Sequence, residues 1–312
     1  MNAPRVLTVG APIVAALPVE PVEIAADVMM RWAVGGAELN VAVGLRRLGV
    51  EVDYVGRVGD DPLGAMVAER LRIEGIGDAG LVTDPRRATD LYLREWLPDG
   101  VRRLVYYRSG TAGAALEPGD LPDWVEPPTL VHVTGITAAL GPSSAATVDE
   151  VVRRSRAAGV PVSFDPNHRP RLWSDDIARP TLRRLAASAT LLLLSDDDAE
   201  LMFPGADPDA VIDAGHELGC EIVVLTRGPD GAIASDGTTR VAVPAEPVPV
   251  AVDPVGAGDG FDAGFIAGYL RGLSLVSCSR LGARVGAHAV RACGDHDSYP
   301  TLDEIGDLLH EQ

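Results

Sequence analysis

Lysine is absent: all 27 basic residues of the 312-residue chain are arginine. Schiff-base chemistry, which needs a lysine amine, is excluded. So are the G-x-x-x-x-G-K-[ST] phosphate loop and the lysine of protein kinases. Any phosphate handled by this chain must therefore meet backbone amides and arginines. Positive charge is scarce too. The 45 Asp and Glu residues leave a formal net charge of −18, which argues against nucleic acid or an anionic membrane as partner. Only three cysteines occur, Cys220, Cys278 and Cys293. Their spacing suits neither a metal site nor a disulfide framework, so buried thiols in a reducing compartment are expected. Long apolar runs are missing as well. The apolar start Val6 to Val19 is broken by Gly10, Pro12 and Pro18 and preceded by a single arginine, unlike a signal peptide. No stretch of about twenty apolar residues follows, and a cytoplasmic protein without a membrane partner is expected.

What is present is an α/β pattern, with 46% apolar residues and strand-like runs alternating with helix-like ones. Arg5 to Gly10 reads as an opening strand, Glu51 to Gly56 as another, and Leu130 to Ile136, Val160 to Asp165, Leu191 to Leu194 and Glu221 to Thr226 as the series that follows. Between them stand helices such as Gly35 to Gly49, where Leu39, Val41, Ala42, Leu45 and Leu48 can share a face. Ser143 or Ser144 is the expected cap of a helix running to Ala158. From Thr89 to Arg108 the pattern becomes strand, turn, strand around Pro98-Asp-Gly100. Alternation sets Tyr92, Arg94 and Trp96 on one face and Tyr106 with Arg108 on the returning strand. From this segment alone a solvated face is the favoured reading, and a lid over an anionic, hydroxylated ligand the alternative.

The chain is organised around Asp253-Pro-Val-Gly-Ala-Gly-Asp-Gly-Phe-Asp-Ala-Gly-Phe265. Val248 to Val252 reads as a strand end, Pro254 keeps Asp253 out of helical dihedrals, and a helix begins near Gly256 to Gly260. Small residues there leave backbone N–H groups unobstructed at a helix N-terminus, which makes an anion site. Asp259 is either its cap or a general base beside a bound phosphate. Polar residues also gather beyond strand ends at Asp165-Pro-Asn-His-Arg169, where open parallel sheets bind ligands. The alternative of a dinucleotide-binding oxidoreductase lacks its G-x-G-x-x-G after the first strand.

Two separated signatures, Gly35 to Gly64 and Asp253 to Phe265, resemble those of the ribokinase-like (PfkB) carbohydrate kinases along nearly the whole chain. The resemblance implies a three-layer α/β/α domain over residues 1–312 with a mostly parallel sheet. It also implies a small β lid from about 12–33 and 89–110, with ATP and magnesium as cofactors and no metal ligand assigned. By the same resemblance Gly256, Ala257, Gly258 and Asp259 form the anion hole, with Asp259 as base. Asn167, Arg169, Ser195, Thr226, Gly228 and Gly231 would meet the nucleotide, although Ser195-Asp-Asp-Asp198 departs from the family's Asn-x-x-Glu. Gly36-Ala-Glu-Leu-Asn40, Tyr92 to Trp96, Tyr106 to Arg108, Asn167 to Arg169 and Gly294 to His296 are most similar to 2-keto-3-deoxygluconate kinases. Gly36, Ala37, Asn40, Tyr92, Tyr106, Arg108, Arg169 and Asp295 would then hold a sugar acid, whose carboxylate gives the arginines a partner. A kinase for fructose, ribose or 2-keto-3-deoxygalactonate and a non-catalytic sugar- or nucleotide-binding regulator stay open as rivals. The lid sheet is the expected face of a homo-oligomer.

Overall fold

The structure, a computed structural model, describes residues 3–20, 22–97 and 102–306. The strands are β1 (Arg5–Val9), β2 (Ile13–Pro18), β3 (Met30–Gly35), β4 (Glu51–Gly59), β5 (Gly77–Asp84), β6 (Leu91–Trp96) and β7 (Arg102–Tyr107). They continue with β8 (Leu130–Thr134), β9 (Val162–Asp165), β10 (Leu191–Ser195), β11 (Ile222–Thr226), β12 (Ala232–Ser235) and β13 (Arg240–Val243). Nine of them make one sheet in the order β13-β12-β11-β10-β9-β8-β1-β4-β5. All neighbours from β11 to β5 run parallel, and only β12 and β13 are antiparallel. Strand alternation divides the core between the two faces. Leu191, Leu193 and Val224 pack on one side with the helices Ala37–Arg47, Ala257–Leu270 and Leu275–Ala289. Leu192, Leu194, Val223 and Leu225 pack on the other with Pro142–Ala158, Asp175–Ala186 and Pro208–Glu217. These are the three α/β/α layers.

From β1 the sheet grows outward through β4 and β5 in one direction and through β8 to β11 in the other. The switch point therefore lies between β1 and β8, and a ligand crevice is expected at the carboxyl ends of the strands there. The lid rises from that edge as a separate four-stranded sheet, β3-β2-β6-β7. Its central pair, β2 and β6, is parallel, and the outer pairs are antiparallel. The Pro98-Asp-Gly100 turn lies outside the described residues, while the pairing of Leu91 with Tyr107 through Trp96 with Arg102 carries the expected hairpin.

Several sequence expectations are corrected. Val248 to Val252 is not a strand: Pro247 and Pro249 supply no N–H for a ladder, and Val250 stands 71% exposed. Conversely Gly77–Asp84 forms the edge strand β5, which its two glycines and broken alternation concealed. Strand β8 ends at Thr134, where Gly135 opens a short helix. The helix to Ala158 starts from Gly141 with Pro142 in its first turn, and Ser144 bonds back to the Gly141 carbonyl instead of capping. Helix Ala37–Arg47 is buried at every position from Ala37 to Leu45, not along one stripe. It is wedged between the sheet and helix Ala257–Leu270, close enough that a Cβ on Gly44 would stand 2.5 Å from that of Ala263.

The lid is tied to the loops before helix Ala257–Leu270 and after helix Leu275–Ala289 through a buried cation. Arg94 on β6 is 0% exposed. Its guanidinium bonds Asp253, the Tyr92 hydroxyl at 2.7 Å and Asp295 at 3.0 Å. Replacing one partner of such a buried set leaves uncompensated charge. Arg94→Met is accordingly expected to lower unfolding stability by about 3–5 kcal/mol. A urea midpoint equal to wild type would show that the cluster does not hold the lid.

Candidate active site

The switch-point crevice is a cavity of about 400 Å³ between the strand ends and the inner face of the lid. Its floor is the glycine turn before helix Ala257–Leu270. Gly256 adopts φ +81°, and a Cβ there would stand 1.8 Å from the Asp295 carbonyl oxygen. That contact is with backbone and cannot be relieved by a rotamer. The Tyr299 hydroxyl donates to the Gly256 carbonyl, so the segment after the last long helix braces the turn from behind. The N–H of Ala257 bonds the Pro254 carbonyl at 3.2 Å, which removes it from the expected set of anion donors. Gly258 and Asp259 keep their N–H groups without a partner among the described residues, and no atom lies within 4 Å of a Cβ built on Gly258.

Asp259 lies beside these donors and is 8% exposed. Asn40 Nδ2 donates to its Oδ2 at 2.7 Å, and Asn167 Nδ2 to its Oδ1 at 3.2 Å. Burial raises its pKa to about 6, against the lowering effect of Asn40 and of the charge on Arg169. The side chain therefore caps nothing; it is a carboxylate clasped by two amides beside the unpartnered N–H groups of the helix start. Asn167 takes φ +39° to make its contact, a conformation that asparagine tolerates better than most residues. Nearby, Asp165 and Asp262 are buried against each other. Desolvation first, then the charges of Asp198 and Asp259 on Asp165 and of Asp165 and Asp259 on Asp262, hold both carboxyls well above the usual range.

The lid supplies the opposite wall. Tyr92 and Tyr106 are register partners with ring centroids 5.7 Å apart, and both line the cavity with Ile13 and Leu104. The Tyr92 hydroxyl donates to Asp295 Oδ1 at 2.9 Å. Asp295 presses so close to Gly35 that a Cβ there would meet its Oδ2 at 2.3 Å, which accounts for that glycine. Its neighbour Gly36 has φ +120° with the Ala11 carbonyl 3.0 Å from its would-be Cβ. Arg108 also reaches the cavity. Asp90 pins its Nε at 2.7 Å and the Ala11 carbonyl its Nη2 at 3.2 Å, so Nη1 has no partner among the described residues.

Gly36, Ala37, Asn40, Tyr92, Tyr106, Arg108, Asn167, Arg169, Ser195, Thr226, Gly256, Gly258, Asp259 and Asp295 thus line one cavity. Gly228 and Gly231 do not. They sit in the turn joining β11 to β12, and Gly231 is explained by packing, since its Cβ would meet the Val243 carbonyl at 2.1 Å. Ser195 and Asp198 form a capping box, and Asp198 accepts also from the His168 N–H at 2.8 Å. The acidic first turn is therefore a helix start whose carboxylate still faces the cavity. Sequence reasoning missed Asp262, which lines the cavity, and the fully buried Arg94 and Glu38, which do not line it. Glu38 is fully buried, its Oε1 taking 2.6 Å bonds from Thr134 and Thr137, with burial raising its pKa. A glutamate set between Ala37 and Leu39 at the start of helix Ala37–Arg47 was the available signal.

A doubly wound sheet with a glycine-led helix start and a separate small β lid is the ribokinase-like fold. The chain belongs to the pfkB family of carbohydrate kinases, whose sequence model matches residues 10–302. It is a phosphotransferase acting on a sugar hydroxyl. The 2-dehydro-3-deoxygluconokinase of Bacillus subtilis (strain 168) is 34% identical over 280 residues, covering 89% of this chain and 86% of that one. The fructokinase of Rhizobium leguminosarum bv. trifolii is 34% identical over 236 residues, covering 75% and 70%. Among solved structures, a putative ribokinase II from E. coli in complex with ATP and Mg2+ superposes with a TM-score of 0.89. It is 24% identical and covers 99% of this chain and 100% of that one.

Gly256→Ala should disable the turn, because both the positive φ and the Asp295 carbonyl oppose a side chain. A stability loss of at least about 1 kcal/mol, with turnover falling further than stability alone explains, is the expected outcome. Thermal melts and steady-state assays would read it, and a variant equal to wild type in both would refute the packing argument.

Proposed function

We propose that the protein is an ATP- and magnesium-dependent kinase that phosphorylates the terminal hydroxyl of 2-keto-3-deoxygluconate. In this reading residues 1–312 form one kinase domain with the lid at about 12–33 and 89–110. The observation that carries it is the clasped Asp259 carboxylate, adjoining free helix-start N–H groups on one side and the tyrosine- and arginine-bearing lid on the other. ATP supplies the phosphoryl group and magnesium offsets its charge when bound. Hard carboxylate oxygens of Asp165 and Asp198 line the same cavity and suit magnesium entering with phosphates and water. Among the described residues no three ligand side chains form a ready metal site.

Asp259 accepts the proton of the attacking hydroxyl, and the N–H groups of Gly258 and Asp259 stabilise charge that develops on the transferred group. Tyr92, Tyr106, Asn40 and the Gly36 backbone meet sugar hydroxyls, while Asp295 holds the Tyr92 phenol in place. The unpartnered edge of Arg108 faces the substrate carboxylate. Arg169, exposed at the cavity rim, serves that carboxylate or the nucleotide phosphates, with Ser195 and Thr226 nearer the nucleotide. The lid excludes water, the competing acceptor. Its exposed Met29, Trp32 and Tyr107 support a homo-oligomer formed through this sheet. No described helix is long and apolar enough to cross a membrane, consistent with a cytoplasmic enzyme acting on small molecules.

A coupled ADP-release assay over 2-keto-3-deoxygluconate, its galactonate epimer, fructose and ribose tests the substrate. Preference for the sugar acids is expected, and preference for fructose would overturn it. Arg108→Ala should raise KM for the acid roughly tenfold or more while leaving fructose use nearly unchanged. Asp259→Asn should cut kcat by about two to four orders of magnitude. Because its pKa is raised, Asp259 is deprotonated only above its folded value, so wild-type kcat should fall as pH drops through about 6.

A further inference from the structure

His296 touches no part of the cavity, yet it is buried to 1% exposure directly behind Asn40. Its Nδ1 lies 2.9 Å from Asn40 Oδ1. Asn40 Nδ2 is turned toward the Asp259 carboxylate at 2.7 Å. An ionised carboxylate only accepts, so Nδ2 must be the donor there and Oδ1 the atom that faces the imidazole. Nδ1 must then carry the proton. The other ring nitrogen, Nε2, is buried without a partner among the described residues, which the neutral Nδ1–H tautomer tolerates and a charged ring does not. The charges nearest the ring, Arg47, Arg70 and Glu74, belong to the neighbouring helices.

We propose that His296 is a positioning residue for phosphoryl transfer. Its Nδ1–H fixes the Asn40 amide with the donor toward Asp259, so that the base is held as an accepting carboxylate. This rests on the assignment of Asp259 as general base. The relay is directional. A reversed Asn40 would set Oδ1 against the carboxylate and suit only its protonated form, while a ring locked as Nδ1–H leaves the reversed amide with N–H facing N–H. The charged groups that act on Asp259 are Arg169, Asp295 and Glu38, and the carboxyls of Asp165 and Asp262 and the phenol of Tyr299 also feel its charge. Of these, Asp295 is the chain neighbour of His296, and the Tyr299 ring lies edge-on to the imidazole at 6.3 Å.

The test compares His296→Leu with His296→Asn, whose side-chain amide can place an N–H close to where Nδ1–H stands. In full-length enzyme, His296→Leu is expected to move the acid limb of the kcat profile up by about one pH unit. The loss is then roughly eightfold at pH 5.5 and less than about twofold at pH 8, with KM for ATP unchanged. His296→Asn should restore the wild-type limb. A purely structural role would instead lower kcat by the same factor at every pH. A His296→Leu limb superimposed on wild type, or an Asn variant that folds without restoring it, overturns the proposal. Asp259→Asn run alongside separates the two ideas: if it retains turnover, the general-base assignment itself falls.

Discussion

The structure depends on keeping one carboxylate ionised where water has largely been removed. Asp259 gains its charge-stabilising contacts from two amides that arrive from opposite sides of the sheet's switch point, Asn40 from the first long helix and Asn167 from the end of β9. Desolvation of a lone carboxylate would otherwise neutralise it. The rest follows from that need. Helix Ala37–Arg47 must be buried from Ala37 to Leu45 to bring Asn40 inward, the turn after β9 must hold Asn167 at positive φ, and Gly256 must lie flush against Asp295.

The same logic explains how a protein of net charge −18 can handle anions. Its arginines inside the molecule are already paired. Arg94 is spent on Asp253 and Asp295, and Arg108 is half occupied by Asp90. Such pairing holds each guanidinium in one orientation, so the edge left open on Arg108 is preset rather than recruited. Overall charge therefore says little about the cavity, where local donors decide what is accepted.

Much of the site was legible because its determinants are local. Gly256 and Gly36 announce backbone that no side chain tolerates, and alternation set Tyr92 on one face of the hairpin and Tyr106 with Arg108 on the returning strand, where the pairing brings Tyr92 opposite Tyr106. What escaped depends on contacts distant in sequence. Arg94 reads as one more arginine on a hairpin until Asp253 and Asp295 are brought to it. The N–H of Ala257 looked free until Pro254 turned its carbonyl back. Gly231 resembled a ligand turn and proved to be packed on Val243, while β5 lacked the alternation by which an edge strand is recognised. The valines from Val248 to Val252 had strand propensity, but prolines beside them removed the donors that a ladder requires.

The lid sheet is built from two insertions widely separated along the chain, and its central parallel pairing joins Val14 to Leu91. Closing so long a loop costs chain entropy before any lid contact compensates it. Strand β1 before the first insertion and strands β4 and β5 between the two can pair without the lid, so the large sheet is the part expected to assemble early and the substrate cover the part that comes last. In the native state the same order reads backwards: the lid is the unit whose amides should exchange through partial opening while the large sheet stays intact.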